Sequence, residues 1–304
     1  MALDADLAPV VDAMPGWAGR DVRAEALGGG ITNRNFRVDV DGETFVVRLP
    51  GKDTDLLGID RDAERRAAQS AHEAGVAPEI IAFLPEHGVL VTRFVRGDPL
   101  PPEDLERPEI MAEVVESIRR IHGMRTLQST FNVFRVVRDC RKTAEEHGVR
   151  TPVAFADALT VADRIADAFA VQPSPARPCH NDLLNANFLV VDGRIVIVDY
   201  EYAGMGDLFF DLGNFSINNG ISEQAQQRLL ELYFGAVLPT GRARLKLMRI
   251  MSDFREAMWG VVQQGISTLD FDYVGYADRH FARCLESAGD ERFGAWLEDA
   301  RGEP

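Results

Sequence analysis

Between His180 and Glu201 the chain sets polar residues at both ends of an apolar hairpin. It reads His180-Asn-Asp182-Leu-Leu-Asn-Ala-Asn187, Phe188-Leu-Val-Val191, Asp192-Gly193, Arg194, Ile195-Val-Ile-Val198 and Asp199-Tyr-Glu201. β-Branched residues on either side of an Asp-Gly pair predict two antiparallel strands joined by a tight turn, whose central residues both need positive φ. A hairpin returns its ends to one place. Asn187 and Asp199, well separated along the chain, are therefore expected side by side, with Asp182 just upstream. Any fold for this chain has to be built around that convergence.

The three residues suit one chemistry. Phosphoryl transfer from ATP needs a carboxylate to accept the proton of an attacking hydroxyl, and oxygen-bearing side chains to hold Mg²⁺ against the phosphates. Asp182 fits the first role, and Asn187 and Asp199 fit the second. Taken singly the signals are ordinary, since His-x-Asp is common and a carboxylate at a strand end is usually solvated. The whole spacing, His180-x-Asp182-x-x-x-x-Asn187 followed by Asp199, matches the catalytic-loop pattern of kinases. Compared with protein kinases, Asn181 replaces Arg and Asp199-Tyr200-Glu201 replaces Asp-Phe-Gly. The small-molecule kinases of the aminoglycoside phosphotransferase and choline kinase group share both changes, and the sequence resembles that group. The resemblance implies an α+β, bilobal protein kinase-like fold. A small antiparallel-sheet lobe over residues 1–95 would bind the nucleotide, and a larger, mainly helical lobe over residues 96–304 would carry catalysis and the acceptor.

Bulk properties agree. A chain of 304 residues has room for a sizeable core. A net charge of −15 argues against a nucleic-acid partner and is compatible with a small cationic substrate. The three cysteines, Cys140, Cys179 and Cys284, match no metal-binding spacing and fit a reducing cytoplasm. No basic-then-apolar leader opens the chain, and nowhere do about eighteen apolar residues run together, so neither a signal peptide nor a membrane span is expected.

After a short helix in the first twenty residues, strands are expected at Val22–Leu27 and across a hairpin at Asp41-Gly42, where Phe36, Val38, Val40, Phe45 and Val47 alternate with polar residues. Between them stands Gly28-Gly29-Gly30-Ile-Thr32-Asn33. Glycines let backbone N–H groups approach phosphate oxygens. They also mark ordinary turns, but here the turn precedes a hairpin whose second strand ends in the cation Arg48. Gly29, Gly30, Thr32, Asn33 and Arg48 are therefore the expected ATP contacts. Arg48 stands where protein kinases place a strand Lys, and choline kinase-like proteins commonly use Arg there; its partner would be Glu64 on the following helix, with Asp62 a near competitor. By position in the same architecture, Thr92-Arg93-Phe94-Val95 is the hinge, with Arg93 and Val95 offering backbone to adenine.

Further on, Ile110, Met111, Val114, Val115, Ile118 and Ile121 recur at helical spacing, and His122 reads as a structural histidine. Helices are also expected near 153–170, 222–234, 240–264 and 276–286. His180 would prop the catalytic loop, and the resemblance makes Asp211 its anchor from below. Trp259 and Tyr276 could wall a cation site, because ammonium groups bind best on aromatic faces beside a carboxylate; composition alone leaves them as core aromatics. However, the run from Trp259 through Gln263, Ile266-Ser, Asp270-Phe271 and Tyr276-Ala resembles the C-terminal segment of choline and ethanolamine kinases. That implies that Trp259 and Tyr276 line the acceptor site. Two departures stand out: Glu256 occupies the place of a second Trp usual in eukaryotic members, and Asn218-Asn219 that of an acidic residue. Glu256 is then expected to meet a cation directly, and Glu201 to assist either the metal or the substrate. The expected acceptor is a small amino alcohol, choline or ethanolamine, with an aminoglycoside or another small-molecule hydroxyl as the alternative; a non-catalytic nucleotide-binding scaffold is a second rival, disfavoured because Asp182, Asn187 and Asp199 are all present.

Overall fold

The computed structural model describes residues 4–28 and 33–303. Gly29, Gly30 and Thr32, three of the expected phosphate contacts, lie outside the described residues. Helix α1 (Ala8–Ala13) precedes strands β1 (Val22–Leu27), β2 (Arg34–Val40) and β3 (Glu43–Leu49). Phe36, Val38 and Val40 of β2 and Phe45, Val47 and Leu49 of β3 are buried, as the two-residue side-chain period requires of a strand with one face inward. Val10, Val11 and Trp17 pack with them. At the β2–β3 turn, Asp41 and Gly42 take φ of 49° and 90°, the left-handed pair a two-residue hairpin needs. Helix α2 (Arg61–Glu73) starts where the Asp60 side chain accepts from the backbone N–H groups of residues 62 and 63. Strands β4 (Ile80–Leu84) and β5 (Val89–Arg93) complete an antiparallel sheet of order β1-β2-β3-β5-β4.

Beyond β5 the chain turns mainly helical. It runs through β6 (Asp98–Pro99), α3 (Pro108–His122), α4 (Val133–Glu146), α5 (Ala154–Val171) and β7 (Arg177–Cys179). The hairpin β8 (Phe188–Val191) and β9 (Arg194–Ile197) follows, then β10 (Gly204–Gly206), α6 (Leu208–Asn218), α7 (Glu223–Phe234), α8 (Pro239–Ile266), α9 (Tyr273–Ala288) and α10 (Phe293–Asp299). The expected α+β class is met. Helices α4, α6 and α10 are additional to those the periodicity predicts. In α6 the reason is plain: residues 209–217 are all buried, so no polar face marks the helix. Helix α9 begins at Tyr273 rather than Tyr276 because Asp272 caps the N–H of Gly275.

The stripe Met111, Val114, Val115, Ile118 and Ile121 lies in the main core, together with Ala67, Ala68 and Ala71 of α2. Thus α2 packs its alanine face toward the helices. The 28-residue α8 crosses α6 closely. At Gly213 an added Cβ would sit 2.7 Å from the backbone carbon of Met248, so only glycine permits the crossing. This approach sets the residues after Asp211 against the helix that carries Trp259. Among the described residues no helix is long and apolar enough to cross a membrane.

Candidate active site

The hairpin does what its turn chemistry demands. Asp192 and Gly193 have φ of 48° and 77°, β8 and β9 pair from Phe188↔Ile197 to Val191↔Arg194, and Val198 N–H donates to the Asn187 carbonyl at 3.0 Å. That bond closes the open end and brings Asn187 beside Asp199. Asn187 Nδ2 donates to the Asp182 carbonyl at 2.8 Å, and its amide oxygen Oδ1, with no partner among the described residues, is available as a ligand atom. An amide oxygen next to a carboxylate is the ligand type that Mg²⁺ prefers, so the pair fits a hard divalent cation.

The loop carrying Asp182 is held from below. Asp211, fully buried, accepts from His180 N–H at 2.8 Å, from Asn181 N–H at 2.6 Å and from His122 Nε2 at 3.0 Å. His122 is satisfied on its other side by Tyr233 Oη at 2.7 Å. Asn214, one turn along α6, accepts from Leu183 N–H at 2.6 Å and donates to Ser252 Oγ at 3.1 Å. His180 donates from Nε2 to the Val198 carbonyl at 3.0 Å, and its Nδ1 accepts from Asp182 N–H at 3.2 Å. Burial pushes its pKa down, which keeps the ring neutral, as these two bonds require. Asn181 and Asp199 hold φ of 66° and 70°, a region costly for residues other than glycine; the bonds around them oppose that cost.

Above the hairpin lies a network of charges. Arg48 on β3 is ion-paired with both Glu64 on α2 and Asp199. Asp62 instead pairs with Arg65 and Arg66 on its own helix. Arg61 donates to Glu64 at 2.7 Å, Glu201 at 3.3 Å, Asn33 Oδ1 at 3.1 Å and Thr54 Oγ1 at 2.9 Å. Asn33 Nδ2 donates to Glu201 at 2.8 Å. Glu201 is thereby tied to the sheet side of the molecule, and burial followed by the neighbouring Asp199 raises its pKa. Sequence reasoning missed Arg61; its i,i+3 spacing to Glu64 was the available signal.

Arg93 is not brought to this cluster. Its N–H donates to the Glu79 carbonyl at 2.8 Å, and its guanidinium holds Glu43 and Glu79 at the exposed sheet edge. Of the two expected hinge contacts, Val95 keeps a backbone N–H with no partner among the described residues.

On the other side of Asp182 stands an aromatic wall. Trp259 and Tyr276 meet edge to face at 5.5 Å, and Trp259 Nε1 donates to Tyr202 Oη at 3.1 Å. Tyr276 Oη donates to Glu256 Oε2 at 2.7 Å. Glu256 does pair with a cation, as its charge suggested, but the cation is the chain's own Arg255, whose Nη1 donates to Glu256 Oε1 at 2.7 Å. Both oxygens of Glu256 are thus engaged within the chain. Arg255 Nη1 also reaches Asp182 Oδ1 at 3.4 Å, and its guanidinium lies 4.2 Å from the Tyr202 ring centroid. Desolvation raises the Asp182 pKa well above the ordinary carboxylate range, with Arg255 opposing it. Sequence reasoning missed Arg255 and Tyr202. The signals were Arg255 four residues before Trp259, hence on its helix face, and Tyr202 directly after Glu201.

Residues 23–248 match the phosphotransferase enzyme family. The chain belongs to that family. A choline/ethanolamine kinase family protein from Mesorhizobium loti is 33% identical, with 96% of this chain and 97% of that one superposed at a TM-score of 0.83. Protein LicA of Haemophilus influenzae is 27% identical over 250 residues, 78% of this chain and 72% of that protein. Ethanolamine kinase 2 of Mus musculus is 27% identical over 296 residues, 86% of this chain and 75% of that protein. This phosphotransferase is thus a small-molecule kinase with a protein kinase-like fold, from a family that in general uses a nucleotide and a divalent metal.

Proposed function

We propose that this phosphotransferase moves the γ-phosphoryl group of ATP, with Mg²⁺, to the hydroxyl of a small amino alcohol of the choline or ethanolamine type. The observation that carries the reading is that Asp182 stands between two kinds of surface. On one side is the Asn187–Asp199 hairpin end; on the other, the wall of Tyr202, Trp259 and Tyr276, joined to Asp182 through Arg255. The names of mouse ethanolamine kinase 2 and of the Mesorhizobium loti protein point to the same acceptor class.

In this mechanism the nucleotide lies between residues 1–95 and residues 96–304. Arg48, oriented by Glu64, meets the α- and β-phosphates. Val95 offers its free N–H to the base. Asn187 and Asp199 hold Mg²⁺, which when bound supplies charge neutralisation to the phosphates. Asp182 takes the acceptor's hydroxyl proton as oxygen attacks the γ-phosphorus and the bond to the β-phosphate bridging oxygen breaks, leaving ADP. Burial favours this step, since a raised pKa makes Asp182 a better proton acceptor than a solvated carboxylate. The rest is positioning and electrostatics.

An acceptor panel of choline, ethanolamine and kanamycin, read by ADP release with and without a chelator, tests the proposal. Chelator-sensitive release stimulated by an amino alcohol is expected. Release stimulated by kanamycin alone, or by none of the three, overturns it.

A further inference from the structure

Arg255 is 3% exposed and lies inside the acceptor wall, where three observations converge. First, its guanidinium covers the face of Tyr202 at 4.2 Å. Second, it takes up Glu256 at 2.7 Å and approaches Asp182 at 3.4 Å, and Tyr276 occupies the other oxygen of Glu256. Third, its Nη2 is buried without a hydrogen-bond partner among the described residues. Buried donors are nearly always paired, so the unpartnered Nη2 is the atom of this guanidinium left over for an acceptor oxygen.

A trimethylammonium group cannot donate hydrogen bonds; it is held by aromatic faces and a nearby carboxylate. Here Arg255 already occupies both the Tyr202 face and the Glu256 carboxylate. A primary ammonium is smaller and donates three hydrogen bonds, so acceptor oxygens can hold it without an open aromatic face. An acceptor oxygen, in turn, would satisfy Nη2.

Building on the amino-alcohol reading above, we propose that Arg255 sets acceptor specificity: by filling the aromatic and anionic subsite that a quaternary ammonium requires, it commits the enzyme to primary amino alcohols and rejects choline-like ones. Arg255 is then a built-in occupant of the cation site, and Nη2 reads an oxygen of the acceptor.

The test compares the wild-type protein with Arg255→Ala and with Arg255→Gln, which removes the charge but keeps a polar side chain, after circular dichroism has verified folding. Tetramethylammonium binding, followed by tryptophan fluorescence, requires no turnover. It should tighten by about tenfold or more in Arg255→Ala over wild type. In parallel, the ratio of kcat/KM for choline to that for ethanolamine should rise by about tenfold in both variants, against a wild type that prefers ethanolamine. Equal tetramethylammonium affinity in wild type and variants, or a wild type that uses choline as well as ethanolamine, overturns the proposal; the second measurement needs no variant. If no amino alcohol is turned over, the functional reading fails, while tetramethylammonium binding still decides whether Arg255 fills a cation site.

Discussion

Asn33 and Glu201 are hydrogen-bonded at 2.8 Å, with both side chains buried. One residue immediately precedes β2, and the other sits two positions beyond the metal candidate Asp199. The bond therefore fastens the sheet to the catalytic hairpin, in parallel with the Arg61 contacts to the same pair of side chains. Asn33→Ala removes a donor from a buried carboxylate, a loss worth about 1–3 kcal/mol. Thermal unfolding is expected to show that loss together with a raised KM for ATP. A KM unchanged in a destabilised variant would confine Asn33 to a structural role.

Asp182→Asn keeps size and shape and removes the proton acceptor. Turnover should fall by about 10²–10⁴-fold, the usual worth of a positioned general base. ATP binding, measured by equilibrium titration with Mg²⁺, should survive nearly unchanged, since the carboxylate faces Arg255. Turnover near the wild-type rate would remove Asp182 from the chemistry.

Asp211→Asn tests the cradle beneath the loop. The carboxylate accepts from two backbone N–H groups and one imidazole; an amide turns its own NH₂ toward at least one of those donors. Destabilisation of about 3 kcal/mol is expected from weakened charge-assisted bonds and an unpaired buried donor. Because the same bonds position Asp182, kcat should drop with little change in KM. A variant that melts like wild type would contradict the assignment.

His180 supplies a pH dependence of known sign. Its pKa is lowered on folding from the ordinary 6.5, chiefly by burial, so between the folded and unfolded values the unfolded chain binds the extra proton. The contribution of this group to stability is complete above 6.5 and is lost progressively as pH falls through the folded pKa. Melting temperatures measured from pH 7.5 to pH 5 should decline for wild type and decline less steeply for His180→Gln. Parallel slopes for the two proteins would show that another group governs the acid transition.

The hairpin was legible in advance because its determinants are local. Asp-Gly dictates the turn, the β-branched runs dictate the strands, and their convergence follows from geometry. The Arg48–Glu64 pair was legible for a related reason, since strand and helix lie close in sequence and the kinase order assigns their places. Hinge position assigned only backbone contacts to Arg93 and Val95; that the Arg93 side chain pairs with Glu43 and Glu79, and that its N–H is taken by the Glu79 carbonyl, depended on how the strands pack. Helix α6 was hidden by burial on all sides, which erases the period on which sequence reading relies.

The amino-acid sequence by itself determined the hairpin and the meeting of Asn187 and Asp199 beside Asp182, because turn chemistry and hydrophobic spacing are local; the fold class followed from the kinase-like motif those residues form. Only the tertiary structure decided what those residues meet. Arg61 reaches Glu201, Asp211 carries the loop, and Arg255 lies on Tyr202 between Glu256 and Asp182. Partners such as these are chosen by the crossing of α6, α8 and the catalytic loop, and buried charge must find its counter-charge wherever packing places it.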